Sequence, residues 1–88
     1  MANSASAKKR IRQNEKRRKR NKRVRSLVRT AINKFEAALE AGDVEAAEEA
    51  FRGVESTLDR AVIKGVWPRN RASRKTSRLA ARLNELKG

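Results

Sequence analysis

Residues 20–39 read Arg20-Asn-Lys-Arg-Val-Arg-Ser-Leu-Val-Arg-Thr-Ala-Ile-Asn-Lys-Phe-Glu-Ala-Ala-Leu39, and within them the chain changes character. From Val24 onward the residues Val24, Leu27, Val28, Ala31, Phe35, Ala38 and Leu39 recur at spacings of three and four. That period places them in one apolar stripe of an α-helix. The same steps taken backwards from Val24 meet Arg20, Arg17, Gln13, Arg10 and Ser6, none of them apolar. Ile11 is the only large hydrophobe between residues 5 and 23. The N-terminal part of this helix therefore has no face to bury. The pattern predicts a basic arm over residues 1–23 that projects from a bundle over residues 24–86. As a helix, residues 7–23 would reach roughly 25 Å.

Reading forward, Gly42-Asp43 combines a helix-ending glycine with an aspartate suited to cap the next helix. Gly65 ends a second periodic stretch, and Pro68 fits the first turn of a third helix, where a missing N–H is harmless. The second helix shows Val44, Ala47, Phe51, Val54, Leu58, Ala61 and Val62 at helical spacing, and the third Ala72, Leu79, Leu83 and Leu86. Ala, Leu, Glu, Lys and Arg dominate throughout, all good helix formers. Helices are expected over about 7–41, 44–64 and 68–86. The connections are short, so the fold class is all-α: an antiparallel three-helix bundle whose long first helix projects beyond it. At 88 residues the chain has room for one small domain.

The charge is segregated. Lys and Arg number 24 against 10 Asp and Glu, a formal net charge of +14. Residues 1–34 hold 14 basic and 1 acidic residue, residues 35–64 hold 3 and 8, and residues 65–88 hold 7 and 1. A field this one-sided reads as a docking surface for a polyanion, with an acidic side turned elsewhere.

The arm supplies Lys8, Lys9, Arg10, Arg12, Lys16, Arg17, Arg18, Lys19, Arg20, Lys22 and Arg23, continued by Arg25 and Arg29. A rod that is basic on every side suits burial among several phosphate-bearing elements, as in folded RNA, rather than one groove of a duplex. The plain alternative is a solvated charge run or a localisation cluster, but the density of charge favours nucleic acid. Phosphate contacts give affinity and register, not base sequence. The interleaved Gln13, Asn14 and Asn21 are the candidates for base or sugar contacts. Like charges meet at i,i+4 in Lys8–Arg12, Arg12–Lys16, Lys16–Arg20, Arg18–Lys22 and Lys19–Arg23, each costing a few tenths of a kcal/mol. Residues 1–20 are therefore expected to be largely disordered in the free chain and helical once phosphates cancel the repulsion.

The third helix offers a second basic element: Arg71, Arg74, Arg78 and Arg82 at spacings of three and four, with Arg69, Asn70 and Lys75 nearby. Arginine forks hold phosphate in defined geometry. The alternative is a set of arginines shielding the edge of the core. Glu36, Glu40, Glu45, Glu48, Glu49, Glu55 and Asp59 form an acidic side expected to face solvent and to orient the domain by repelling phosphate. Trp67 either stacks on an exposed base or plugs the end of the bundle; small domains favour the plug.

Other functions find little support. The absence of Cys and His removes disulfides, thiol nucleophiles, and the commonest general base and metal ligand. A bundle this small suggests no pocket of the roughly 300 Å³ a substrate site needs. No metal, no cofactor, no small-molecule substrate and no catalytic residue is expected. No apolar run approaches the roughly 20 residues of a membrane span. The opening segment lacks the apolar core of a secretory signal. Its Ser, Lys and Arg would suit a transit peptide, but the same segment is required for binding, so it is expected to be retained. A membrane-active helix needs an apolar face that residues 7–23 lack. A DNA-compacting protein shares the charge but not the all-round arm.

Six stretches carry a resemblance. Met1-Ala-Asn at the start, Ser6-Ala-Lys-Lys-Arg-Ile-Arg-Gln-Asn-Glu-Lys-Arg-Arg18 and Arg20-Asn-Lys-Arg-Val-Arg-Ser-Leu-Val-Arg-Thr30 closely resemble the bacterial small-subunit ribosomal protein S-twenty family. So do Ala41-Gly-Asp43, Lys64-Gly-Val66 and Arg69-Asn-Arg-Ala-Ser-Arg-Lys-Thr-Ser-Arg-Leu79. The likeness runs from end to end. It implies a three-helix bundle with an extended first helix, and direct binding to small-subunit ribosomal RNA in the lower body of the particle during early assembly. It implies a cytoplasmic, ribosome-bound protein that joins the small subunit rather than a homo-oligomer. Lys8 to Arg23 and Asn70 to Arg78 match the RNA-contacting regions of the family. The sequence departs at Trp67-Pro68, where relatives often carry an aliphatic residue and His, and at Ala5, where many have Lys.

Overall fold

Gly42 and Gly65 both adopt positive φ, 70° and 74°, and each closes a helix in the same way. At the first, the Gly42 N–H donates to the Leu39 carbonyl (3.1 Å) and the Asp43 N–H to that of Ala38 (3.2 Å). At the second, Gly65 donates to Val62 (3.0 Å) and Val66 to Ala61 (2.9 Å). These paired bonds satisfy the last free carbonyls and need a left-handed residue between them, which a side chain would strain.

The computed structural model describes residues 3–88, with side chains from residue 5 on. They form three helices: α1 Asn3–Ala41, α2 Val44–Ile63 and α3 Arg69–Lys87. Met1 and Ala2, the first residues of the expected arm, lie outside the described residues. Asp43 caps α2 as expected: its Oδ1 accepts from the Ala46 N–H at 3.2 Å. Pro68 stands one position earlier than expected. It is the residue before α3, with extended backbone (φ −63°, ψ 141°) and no capping side chain. The proline ring fixes only φ, so ψ is free to turn the chain into α3 from outside.

The core is built from the predicted stripes. Val24, Val28 and Phe35 of α1, Ala47, Val54, Leu58 and Ala61 of α2, and Ala72, Leu79 and Leu83 of α3 are buried. Phe35 is fully enclosed, and its ring meets that of Phe51 at 5.7 Å between centroids with a 51° tilt. Burying a side chain of this size stabilises by about 2–3 kcal/mol. Leu27 departs from its stripe: it is 55% exposed.

The three helices do not close evenly. α1 packs along α2, and α3 packs chiefly on α2 while meeting α1 only sparingly. The α2 stripe serves both neighbours. Two open grooves result, one of about 640 Å³ between α1 and α2 and one of about 610 Å³ between α2 and α3, where the sequence suggests no such space. Small residues explain the first: Ala31, Ala38, Ala46, Ala50 and Gly53 leave its walls short of side chain. The molecule is a rod of 67 × 22 × 14 Å, because α1 continues past the end of the bundle. Among the described residues, no helix is long and apolar enough to cross a membrane.

Candidate nucleic-acid interface

The arm is helical across its described length and is open to solvent as far as Arg20. Every residue from Ala5 to Arg20 is exposed. Eleven cations from Lys8 to Arg23 stand against one carboxylate, Glu15. Among the described residues the ion pairs are Arg82–Glu36 and Lys87–Glu48, so no arm cation is neutralised by the protein itself. Gln13 and Asn14 are exposed alongside these cations. Asn21 is not: it is half-buried, and its Oδ1 is enclosed without a hydrogen-bond partner among the described residues. Three residues before Val24, it lies where the arm leaves the bundle and faces inward.

The predicted basic residues of α3 divide into four groups. Arg74 and Arg78 are exposed and free of ion pairs among the described residues. Arg69 lines the groove between α2 and α3, together with Asp59. Arg82 is tied across to α1, its Nη1 3.4 Å from Glu36 Oε1, which makes it a strap between helices that otherwise meet little.

The remaining cations converge. Arg25 and Arg29 of α1 line one side of a cleft of about 290 Å³, and Arg71 and Lys75 of α3 line the other. Val28, Ile32, Val66 and Trp67 complete its apolar part, and no carboxylate lines it. Trp67 is half-buried and packs against the core, as a plug would. Its ring also carries the Arg71 guanidinium, 4.2 Å from the centroid. An arginine over an indole face is held by the ring quadrupole and is partly pre-set in direction. Asn70 is exposed at the start of α3, where the first N–H groups have no capping side chain. Free N–H groups at a helix start favour anions.

Asn33 also lines this cleft and was not among the expected site residues. A signal was available: Arg25, Arg29 and Asn33 follow each other at i,i+4 along one row of α1, as Arg71 and Lys75 do on α3. What periodicity alone does not give is that these two rows face one another.

Most of the expected acidic side lies elsewhere; Glu55 and Asp59 are exposed farther along α2, Asp59 in the groove with Arg69. α1 and α2 run antiparallel about Gly42-Asp43, so Glu36, Glu40, Glu45, Glu48 and Glu49 gather toward that hinge, at the end of the bundle away from the arm. Glu36 and Glu48 are half-buried in their ion pairs, and the others are exposed. Charge is thus polarised along the rod. The root of the arm is positive, the hinge end acidic.

Comparison with known proteins follows the same lines. The family model described as Ribosomal protein S20 matches residues 2–84. The chain is 55% identical over 86 residues to the small ribosomal subunit protein bS20 of Gluconobacter oxydans, spanning 98% of this chain and 97% of that one. It is 50% identical to the protein of the same name from Natranaerobius thermophilus, spanning 98% of each. A third, from a Ruegeria species, is 55% identical over 98% of this chain and 99% of its own length.

Proposed function

The chain belongs to the ribosomal protein S20 family, and on that premise we infer that it is a structural component of the bacterial small ribosomal subunit that binds small-subunit ribosomal RNA directly. Proteins of this family are structural constituents rather than enzymes. In this reading the chain is one domain. The arm, residues 1–23, lodges between RNA strands, and the basic residues of α3 fix the bundle, residues 24–86, against the same RNA. The fold of the RNA is thereby stabilised during assembly, and the protein works ribosome-bound in the cytoplasm.

One observation carries the inference. The unneutralised arm and the cationic rows of α1 and α3 meet at the root of the arm, while Glu36, Glu40, Glu45, Glu48 and Glu49 collect at the hinge end of the bundle. Electrostatics of this form favour one docking orientation and a polyanion that surrounds the arm. Phosphate contacts from so many cations make affinity fall steeply with salt.

The test is binding of the full-length protein to folded small-subunit ribosomal RNA across a salt series, with duplex DNA as competitor. A steep salt slope and preference for the RNA support the reading. Equal affinity for the DNA favours a DNA-compacting role. Nuclease protection on the same RNA then gives the strands that are touched.

A further inference from the structure

The cleft between α1 and α3 differs from the rest of the basic surface. Along the arm the cations stand on exposed helix faces and can meet phosphate from any direction. Here Arg25, Arg29, Arg71 and Lys75 surround a concavity of about 290 Å³ that combines polar side chains with an apolar wall, Ile32 and Trp67 among its residues. The volume lies close to the lower end of small-ligand sites, about 300 Å³. A phosphate alone would satisfy the four cations and leave the apolar walls against water. A fully paired RNA helix cannot fill them either, since its bases are stacked inside and its outer surface is sugar and phosphate.

We propose that this cleft receives one unstacked nucleotide of the RNA, its base stacked on Arg71 beside the apolar wall and its flanking phosphates held by Arg25, Arg29 and Lys75. The proposal rests on the RNA-binding reading above and names the ligand of one part of that surface. The Trp67–Arg71 pair supports it. The indole fixes the guanidinium from one side at 4.2 Å, and a guanidinium plane is itself a surface on which a base stacks. Base, Arg71 and Trp67 would form successive layers. The absence of any carboxylate from the lining removes the group that would otherwise compete for Arg71 and Lys75. Asn33 places an amide within the same cleft, able to donate to and accept from a base edge.

Trp67 is the only tryptophan of the chain, so its emission reports on this site alone. Two RNA hairpins of equal length and charge serve as probes, one fully paired and one carrying a single bulged nucleotide. They are titrated with the full-length protein at near-physiological salt. The bulged hairpin is expected to bind about tenfold tighter and to quench Trp67 emission, as base stacking of ordinary strength requires. The double variant R71Q/K75Q, with its helical signal checked by circular dichroism, is expected to lose that preference while both hairpins still bind through the arm. Equal affinity of the wild type for the two hairpins, with Trp67 emission unchanged, overturns the proposal but leaves RNA binding intact. Salt-insensitive or undetectable binding of both hairpins overturns the RNA-binding reading itself.

Discussion

The Arg71 guanidinium lies over the Trp67 ring, 4.2 Å from its centroid, and so a surface cation is anchored to a side chain that packs on the core. Long basic side chains lose rotamer entropy when they grip a phosphate. One already held in direction loses less. On the RNA-binding reading proposed above, Trp67 would act through Arg71 as well as through the bundle.

Replacing Trp67 with leucine should therefore weaken RNA binding about two- to fivefold, the equivalent of the roughly 0.5–1 kcal/mol of an exposed cation–π pair. The effect should not add to that of Arg71→Ala. In a double-mutant cycle, Arg71→Ala should cost less affinity in the W67L background than in the wild type. Fully additive losses, measured well below the unfolding midpoint of W67L, would show that the contact has no positioning role.

Removing residues 1–23 should separate binding from stability. The core starts at Val24, and of the described arm only Asn21 is partly buried, so denaturant unfolding of the remaining bundle should change little. RNA affinity should fall steeply, and the slope of log affinity against log salt should flatten by several units as arm phosphate contacts disappear, each contact accounting for about 0.7–0.9 of slope. Undiminished binding of the truncated protein at near-physiological salt would contradict the role given to the arm.

The arm helix should depend on its surroundings. Its cations repel at i,i+4, and none is paired with a carboxylate among the described residues. Circular dichroism of the free protein at low salt should fall short of the helicity of a continuous 39-residue α1, and should rise when RNA is added. A free chain already fully helical at low salt would argue against coupled folding of the arm.

Two arginines of α3 provide an internal contrast. Arg82 is engaged with Glu36 at 3.4 Å, whereas Arg78 has no ion-pair partner among the described residues. Arg78→Gln should reduce RNA affinity more than Arg82→Gln. Arg82→Gln should instead show a small loss of stability, within the roughly 0–1 kcal/mol of an exposed pair, measured by chemical unfolding. The reverse order would place Arg82 on the RNA and make its pairing with Glu36 incidental.

The helices were legible because period and punctuation agreed. The run from Val24 to Leu39 has one face, and glycines at 42 and 65 stand where left-handed residues are needed. The resemblance also pointed to the correct family. Leu27 was less legible: it is 55% exposed, because a residue at the margin of a stripe is covered only if a neighbouring helix reaches it. Here α3 sits mainly on α2 and leaves the far side of α1 open. The same tertiary fact hid the cleft. Arg25, Arg29 and Asn33 form one row and Arg71 and Lys75 another, but only the rotation of each helix about its axis decides that they oppose. Asn21 shows the limit most plainly. It reads as one more polar residue of the arm, and its carbonyl oxygen turns out to be enclosed where the bundle begins.

The uneven packing of the helices has a kinetic side. Each helix rests mainly on the one next to it in sequence, across connections closed by Gly42 and Gly65. Such a chain draws together partners that are never far apart along it, and domains of that kind reach their native form in microseconds to milliseconds. On the coupled-folding reading, a newly made copy can present a finished bundle early and leave the shape of its charged extension to be decided by what it meets.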